Sequence, residues 1–208
     1  MKKRIISAVL AICIAALPLS FFALPATAET GYTTYTVVKG DSLWKISVRY
    51  ELGLDEIISA NPQIKNPDLI YPGDKITVPL PDRTVSAYET EVIRLVNVER
   101  ARSGLKPLTA DWQLSRTARY KSRDMHDNRY FSHTSPTYGS PFEMMTSFGI
   151  SYRAAGENIA MGQKTPEAVV SAWMNSPGHR ANILNRSFGK IGVGYVADGN
   201  YWTQMFTD

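Results

Sequence analysis

The chain has 208 residues, of which 44% are hydrophobic, 20% charged and 11% aromatic, a composition typical of a globular protein and not of a disordered or fibrous one. Lys2, Lys3 and Arg4 supply three of its 23 basic residues and residues 1–28 contain no acid, so the remainder carries 20 basic and 19 acidic residues. This near-neutral remainder argues against a protein that binds nucleic acid by neutralising phosphates.

The first predicted element is an export signal over residues 1–28. An apolar run, Ile5 to Leu24, follows the basic head, and Ala26-Thr-Ala28 is a small-residue cleavage site before Glu29. An uncleaved membrane anchor is the alternative, because about 20 apolar residues can span a bilayer. Cys13 is the only cysteine and lies in this segment. We therefore expect a mature chain without disulfides, cysteine-ligated metals, a cysteine nucleophile or a transmembrane segment.

Residues 35–79 are predicted to form a small βααβ module. A strand beginning at Tyr35 turns at Gly40, and Asp41 or Ser42 can cap a helix that starts at Leu43. A second helix is expected over residues 53–60, where Leu54, Ile57 and Ile58 have helical spacing. Residues 75–78 alternate as a short closing strand.

This module resembles a lysin motif (LysM), on the pattern Tyr35-Thr-Val-x-x-Gly-Asp-Ser-Leu-Trp44, then Asn61-Pro62, then Ile70-Tyr-Pro-Gly-Asp74. The resemblance implies weak binding of peptidoglycan or a chitin-like glycan that contains N-acetylglucosamine. It implies a groove with Gly40, Asp41 and Ser42 on one side and Asn61, Pro62, Ile64, Leu69 and Ile70 on the other. Leu69 and Ile70 could instead be core residues of the module. For Asp41 and Trp44 we favour capping and packing over glycan contact.

Residues 80–86 are predicted to be a proline-containing linker, followed by a larger domain over residues 87–208. One helix is expected from Tyr88 to Ser103-Gly104 and another after Asp111, with Leu114, Ala118 and Met125 inward. The basic residues of that second helix are expected on a solvated face with Asp124 and Asp127: Arg116, Arg119, Lys121 and Arg123. Thr165 is expected to cap a third helix that ends near Ser176-Pro177.

The C-terminus changes to strand periodicity. Residues 190–196 and 201–206 alternate on either side of Asp198-Gly199, which predicts a β-hairpin. Gly192 and Gly194 lie inside the first strand, which indicates close backbone packing there. Helices followed by strands predict an α+β fold in which helices cover an antiparallel sheet.

Six ordered motifs between Tyr88 and the C-terminus resemble the CAP superfamily (cysteine-rich secretory proteins, antigen 5 and pathogenesis-related proteins) in its bacterial SCP-like form. The motifs are Leu95-Val-Asn-x-x-Arg100, Gly104-Leu-x-Pro-Leu108, Phe131-Ser-His-Thr-Ser-Pro136, Gly156-Glu-Asn-Ile-Ala160, Ser176-Pro-Gly-His-Arg-Ala-Asn-Ile-Leu184 and Tyr201-Trp-Thr-Gln204. We expect three of these stretches, 131–136, 156–160 and 176–184, on loops or helix starts, because they are polar.

The resemblance implies an α-β-α sandwich with a central cleft, commonly lined by two histidines and two glutamates. By motif, His133 and Glu157 match the first histidine and first glutamate. Ser176 stands where the second glutamate is usual, and the second histidine is missing from Asn200-Tyr-Trp-Thr-Gln204. This leaves Ser176, Tyr201 and Gln204 as cleft-lining candidates. His179 is the candidate that could occupy the vacated space.

His133, Glu157 and His179 could bind a divalent metal such as zinc, perform acid-base chemistry, or form a structural polar cluster. We favour an exported protein, secreted or associated with the cell wall or spore envelope, that binds glycan and displays the cleft to a ligand or protein partner. A metal-dependent hydrolase that acts on wall peptides or secreted proteins is the alternative, and lipid capture is a third reading. No separate catalytic motif is present in the sequence.

Overall fold

The computed structural model describes residues 31–208, so the export signal predicted over residues 1–28 lies outside the described residues. Residues 31–80 form an N-terminal unit and residues 83–208 a C-terminal unit. No helix within residues 31–208 combines the length and the apolar character needed to cross a bilayer.

The N-terminal unit has the predicted βααβ order. Strand β1 (Tyr32–Thr36) pairs antiparallel with β2 (Lys75–Pro79), and helices α1 (Leu43–Arg49) and α2 (Leu54–Ser59) lie between them in sequence. Ser42 caps α1 by accepting a hydrogen bond from the Lys45 N–H at 3.2 Å. The buried side chains of this unit form one apolar cluster: Val37, Leu43, Ile46, Leu52, Ile57, Ile76 and Val78.

The C-terminal unit contains five helices and a four-stranded sheet among its described residues. Its elements are α3 (Arg83–Arg102), β3 (Thr109–Ala110), α4 (Trp112–Asp127), α5 (Pro141–Ser147), β4 (Ala155–Met161), α6 (Pro166–Met174), α7 (Pro177–Ile183), β5 (Lys190–Val196) and β6 (Tyr201–Thr207). The strand order is β3-β5-β6-β4; β5 and β4 pair antiparallel with β6, and β3 pairs parallel with β5.

Helices cover both faces of this sheet. On one face Leu114 and Ala118 of α4 pack with Met205 of β6. On the other face Val92 of α3 and Trp173 of α6 belong to the larger apolar cluster. The predicted α-β-α sandwich is therefore confirmed.

The predicted close packing at Gly192 and Gly194 is also confirmed. A Cβ atom at Gly192 would lie 2.2 Å from the carbonyl carbon of Leu114, and one at Gly194 would lie 2.1 Å from that of Ala118. Because α4 crosses β5 at backbone contact distance, neither position can hold a side chain without moving the helix.

Two expectations for the C-terminal unit are wrong, and one helix was missed. Residues 156–160 were expected on a loop or helix start but lie in β4, where all five are buried. Gly156, Glu157 and Asn158 are residue types depleted in strands, so the strand signal is weak there. Helix α5 was not predicted, although Ser140 and Glu143 form its capping box. Helix α3 begins at Arg83, inside the segment assigned to the linker.

The basic face predicted for α4 is only partly solvated. Arg123 is exposed, but Lys121 is fully buried and Asp124 is buried beside it. Arg119 makes a bidentate ion pair with the buried carboxylate of Glu89, at 2.6 and 2.9 Å, which joins α3 to α4.

Arg116 of α4 joins the two units. Its Nη2 lies 2.7 Å from Asp55 Oδ1 and its Nε 3.1 Å from Glu56 Oε1, both on the first turn of α2. Its guanidinium also lies 5.0 Å from the ring centres of Tyr120 and Phe148. The covalent connection between β2 and α3 is only Leu80–Asp82, so the two units are joined by a three-residue segment and by the ion pairs of Arg116.

Candidate functional site

The two loops of the predicted glycan groove lie side by side at one end of the β1–β2 ribbon. Thr36 at the end of β1 pairs with Lys75 at the start of β2, so the segment after β1 and the segment before β2 leave the ribbon together. The Val37 N–H donates to the Asp74 carbonyl and the Gly73 N–H to the Val37 carbonyl, both at 2.9 Å.

Several predicted groove residues are accessible. Gly40 is exposed with φ +91°, a conformation that favours glycine, and Pro62 is also exposed. Leu69 leaves 51% of its surface open, which makes it an exposed apolar residue and not a core residue. Ser42, Ile64 and Ile70 are half-buried; the two isoleucines pack against the core of the unit.

Asn61 is buried and its side chain is fully used inside the fold. Its Oδ1 accepts from the Thr77 N–H and Gln63 Nε2, and its Nδ2 donates to the Ile57 and Thr77 carbonyls, all at 2.7–2.9 Å. Asn61 therefore attaches the second groove loop to β2, and its side chain has no polar atom left to offer a glycan.

The favoured interpretations of Asp41 and Trp44 need correction. Asp41 is not the helix cap, because Ser42 takes that place; Asp41 Oδ2 instead accepts from the Val38 N–H at 2.9 Å and the Tyr35 hydroxyl at 2.8 Å. The Val38 and Tyr35 hydrogen bonds lower the pKa of the Asp41 carboxyl. Trp44 is not packed in the core, since 60% of its surface is exposed.

In the C-terminal unit, His133 and Glu157 form a hydrogen-bonded pair. His133 Nδ1 lies 2.7 Å from Glu157 Oε1; the imidazole is 53% exposed, whereas the carboxylate is 1% exposed. Burial raises the pKa of Glu157, and the hydrogen bond from His133 and the charge of Lys121 oppose that rise. When Glu157 is ionised it can only accept, so Nδ1–H donates and Nε2 is the ring nitrogen left for a ligand.

The second oxygen of Glu157 has no hydrogen-bond partner among the described residues. Glu157 Oε2 is buried, and buried carboxylate oxygens are normally satisfied by a protein group or an ordered water. The Gln204 Nε2 amide is likewise buried without a partner in the described part of the chain. Both unpaired atoms belong to the neighbouring strands β4 and β6.

Two buried residues of α4 hold the loop that carries His133. Lys121 Nζ donates to the His133 carbonyl at 3.0 Å and to the Tyr130 hydroxyl at 2.9 Å. Asp124 accepts from four side chains of residues 128–137, namely Asn128, Tyr130, Ser135 and Thr137. Burial lowers the pKa of Lys121, and the carboxylates of Glu157 and Asp124 oppose that effect.

Lys121 and Asp124 were missed as site residues by the sequence analysis. A usable signal was present, because Lys121 falls on the i, i+4, i+7, i+11 stripe with Leu114, Ala118 and Met125. A lysine in an apolar stripe indicates a buried amine that needs acceptors.

His179 lies near the pair but is not bonded to it. Its carbonyl accepts from Asn158 Nδ2 at 3.1 Å, and Asn158 directly follows Glu157 in β4. Burial lowers the pKa of the half-buried His179 imidazole, and the charge of His133 lowers it further. His179 therefore borders the pair through its backbone and through electrostatic proximity.

A chain of three side-chain amides, two buried and that of Asn182 half-buried, supports this side of the sheet. Asn182 Nδ2 donates to Asn158 Oδ1 at 2.9 Å and to the Glu157 carbonyl at 3.1 Å, and Asn158 Nδ2 donates to Gln204 Oε1 at 2.9 Å. Gln204 is thus a buried structural group beneath α7. The amides fix β4, and with it Glu157, against α7 and β6.

Two other predicted cleft residues have different surroundings. Ser176 is the half-buried N-cap residue of α7 and makes no capping hydrogen bond through its side chain. Tyr201 pairs with Met161 at the opposite end of β4 from Glu157 and packs edge-on against His126, with ring centres 5.9 Å apart. No described contact joins Tyr201 to His133 or Glu157.

The three-donor metal centre of His133, Glu157 and His179 stays a prediction. Within residues 31–208, no three His, Cys, Asp or Glu side chains come close enough to hold one ion. His133 and Glu157 contact each other directly, and His179 stays outside that contact. The pair can present Nε2 of the His133 imidazole to a ligand while the buried carboxylate of Glu157 holds the ring in place.

Comparison with known protein families matches both units. The model described as "Cysteine-rich secretory protein family" (CAP) matches residues 93–206, and the LysM domain model matches residues 35–79. The first match spans more than half of the chain and includes His133, Glu157 and His179.

Individual proteins support these matches. YkwD of Bacillus subtilis is 67% identical over 123 residues, 59% of this chain and 48% of that protein. A probable autolysin of Staphylococcus aureus, LDP, is 50% identical over 46 residues, 22% of this chain and 16% of that protein. An extracellular protein from Bacillus anthracis with an SCP domain has a crystal structure with a TM-score of 0.58 and 34% identity, covering 65% of this chain and 46% of that chain. The chain thus spans less than half the length of each of these relatives.

Proposed function

Since the chain belongs to the cysteine-rich secretory protein family and carries a LysM domain, we propose that it is an exported cell-envelope protein with two binding sites. The LysM domain holds the protein on peptidoglycan, and the CAP domain offers the His133–Glu157 cleft to a ligand or protein partner. LysM domains bind glycans in general, and the finer assignment to peptidoglycan of the cell wall or spore envelope is part of the proposal.

The observation that carries glycan binding is the paired loop arrangement. The loop with Gly40 and the loop with Leu69 are held together by the register of β1 and β2, and both leave accessible surface. An N-acetyl sugar needs an apolar contact for its methyl group and hydrogen bonds for its amide, and adjoining loops supply both without a deep pocket.

Export is supported by the basic head, apolar run and Ala26-Thr-Ala28 site of the sequence. It agrees with the extracellular SCP-domain protein of Bacillus anthracis and with the probable autolysin of Staphylococcus aureus as relatives. Expression of residues 1–208 in a Gram-positive host should give a wall-associated product whose first residue is Glu29. A product retained at full length in the membrane fraction would contradict this part of the proposal.

The binding role of the cleft is supported by the unequal exposure of His133 and Glu157. Glu157 is enclosed and contacts Nδ1 of the ring, while the His133 side chain is 53% exposed and its Nε2 takes no part in that hydrogen bond. This geometry suits a ligand that donates a hydrogen bond to Nε2 or accepts one from a protonated imidazole. We assign no catalytic step to the pair.

Sedimentation with purified peptidoglycan tests the glycan site. Leu69→Ala removes an exposed groove contact, and Tyr32→Ala removes an exposed aromatic residue at the far end of the ribbon, opposite Pro79, as the matched control. We expect the control to sediment like the wild type and Leu69→Ala to sediment less. A chain lacking residues 35–79 should stay in the supernatant; if it sediments equally, LysM is not the wall-binding element.

A further inference from the structure

An exposed indole stands next to the proposed glycan groove. Trp44 is the only tryptophan of residues 31–79, and 60% of its surface is open, whereas Trp173 and Trp202 of the larger domain are almost fully buried. A single exposed aromatic side chain needs no functional explanation, so the case for Trp44 depends on its neighbours and on its place beside the groove.

Trp44 does not contribute to the core of its helix. Leu43, Ile46 and Ser47 are the buried residues of α1, while Trp44 and Val48, four positions apart, are both exposed. These two residues form an apolar strip on the outside of α1. Trp44 and Val48 leave 60% and 37% of their surfaces open, so no other segment of residues 31–208 covers this strip completely.

The strip is continuous with one wall of the groove. Trp44 is two positions after Ser42, which caps α1, and the Lys45 amine donates back to the Gly40 carbonyl at 2.7 Å. The loop and the first turn of α1 are therefore one connected surface. A polymer lying across the loops has the strip as its adjoining apolar contact.

The chemistry of an exposed indole suits a sugar ring. The face of a pyranose presents C–H groups, which stack on a flat aromatic surface, while its hydroxyls and N-acetyl amide stay free for water and for hydrogen bonds from neighbouring loops. We propose that Trp44 forms an additional subsite, where its indole stacks on a pyranose of a glycan chain whose neighbouring N-acetyl sugar occupies the loop groove. This inference rests on the proposed glycan binding and extends it to longer chains.

Calorimetric titration of the full chain with a length series of N-acetylglucosamine oligomers tests the subsite. Trp44→Ala should weaken binding of long oligomers by roughly fivefold to tenfold, the scale of one lost aromatic contact, and leave the disaccharide unchanged. Trp44→Tyr should restore most of the affinity, and Tyr32→Ala should match the wild type. Long oligomers should also shift the wild-type tryptophan emission to shorter wavelength, a change absent from Trp44→Ala.

Each other outcome overturns the subsite. Equal affinities of Trp44→Ala and wild type for every oligomer would show that the indole does not contact the glycan. Equal weakening for short and long oligomers would make Trp44 a part of the loop groove and not an additional subsite. If the wild type binds neither oligomers nor peptidoglycan, the proposed function fails and the subsite fails with it.

Discussion

Asp124→Ala is the substitution expected to release the loop that carries His133. Asp124 is 7% exposed and lies one turn after Lys121 on α4. It accepts hydrogen bonds at 2.6–2.7 Å from Ser135, Thr137 and Asn128, and one from the Tyr130 hydroxyl. The alanine variant leaves these four donors without their acceptor and removes one of the two carboxylates, Glu157 and Asp124, whose charges act on the buried Lys121 amine.

The size of the loss follows from these contacts. A hydrogen bond to a charged group contributes about 1.5–3 kcal/mol, but Asn128 and Thr137 are exposed and can turn to water, so the four contributions do not add fully. We expect Asp124→Ala to cost about 3–5 kcal/mol of unfolding free energy, the range for breaking a buried charged network. Asp124→Asn keeps the shape and one carbonyl acceptor, so it should cost about 1–2 kcal/mol.

Urea unfolding of the full chain measures this effect. The fluorescence of buried Trp173 and Trp202 reports on the CAP domain, and the transition midpoint should fall while its slope stays unchanged. Arg123→Ala, an exposed substitution on the same helix, is the control and should stay within about 0.5 kcal/mol of the wild type. If Asp124→Ala costs no more than this control, Asp124 does not anchor the loop.

The pH dependence gives a second check. Burial raises the pKa of Asp124, but the hydrogen bonds from Ser135, Thr137, Tyr130 and Asn128 outweigh it and lower the pKa below its ordinary value of 3.8. The stability that ionised Asp124 contributes is therefore complete above that value and is lost as the pH falls through the lowered pKa. The difference between wild type and Asp124→Asn should shrink in strong acid.

Three further substitutions probe other charged contacts. Burial raises the pKa of Glu157 above 4.5, so the wild type should lose stability as the pH rises through the raised pKa. Chemical unfolding of Glu157→Gln should not show that loss. If the unfolding free energies of the two proteins depend on pH in the same way, this expectation is wrong. Hydrogen bonds to Asp127 and Asp198 raise the pKa of His126 above 6.5, so the stability lost in His126→Gln should be greatest below 6.5 and vanish as the pH passes the raised pKa. A pH-independent difference would rule out ion pairing there. Arg116→Ala should increase the radius of gyration in small-angle X-ray scattering without unfolding either domain, and an unchanged radius would refute the role of Arg116 in docking.

The elements that the sequence predicted well are those with strong local signals. The α4 stripe of Leu114, Ala118 and Met125 and the alternating hairpin strands were read directly from their periods. Strand β4 was missed because Gly156, Glu157 and Asn158 are residue types depleted in strands, whereas β5 and β6, which are buried as fully, keep an alternating sequence. Helix α5 is a single short segment whose capping box is its main signal.

The candidate site was predictable only in part. The motif resemblance named His133 and Glu157, and the structure brings these residues into contact across 24 positions of sequence. It could not reveal that Lys121 and Asp124 hold the loop, because their partners are up to 13 positions away and depend on the path of that loop. The exposure of Trp44 was likewise decided by how α1 is rotated on its core, which a single aromatic residue in the sequence does not disclose.

The contact between Arg116 and the first turn of α2 bears on how the protein would explore a glycan mesh. A module on a long flexible tether can swing through a large volume while its anchor stays attached. With only Leu80–Asp82 between the domains and a guanidinium bound to Asp55 and Glu56, pivoting is restricted. Each attachment to the polymer would then aim the imidazole of His133 in one direction, and a new direction would require the molecule to detach and settle elsewhere.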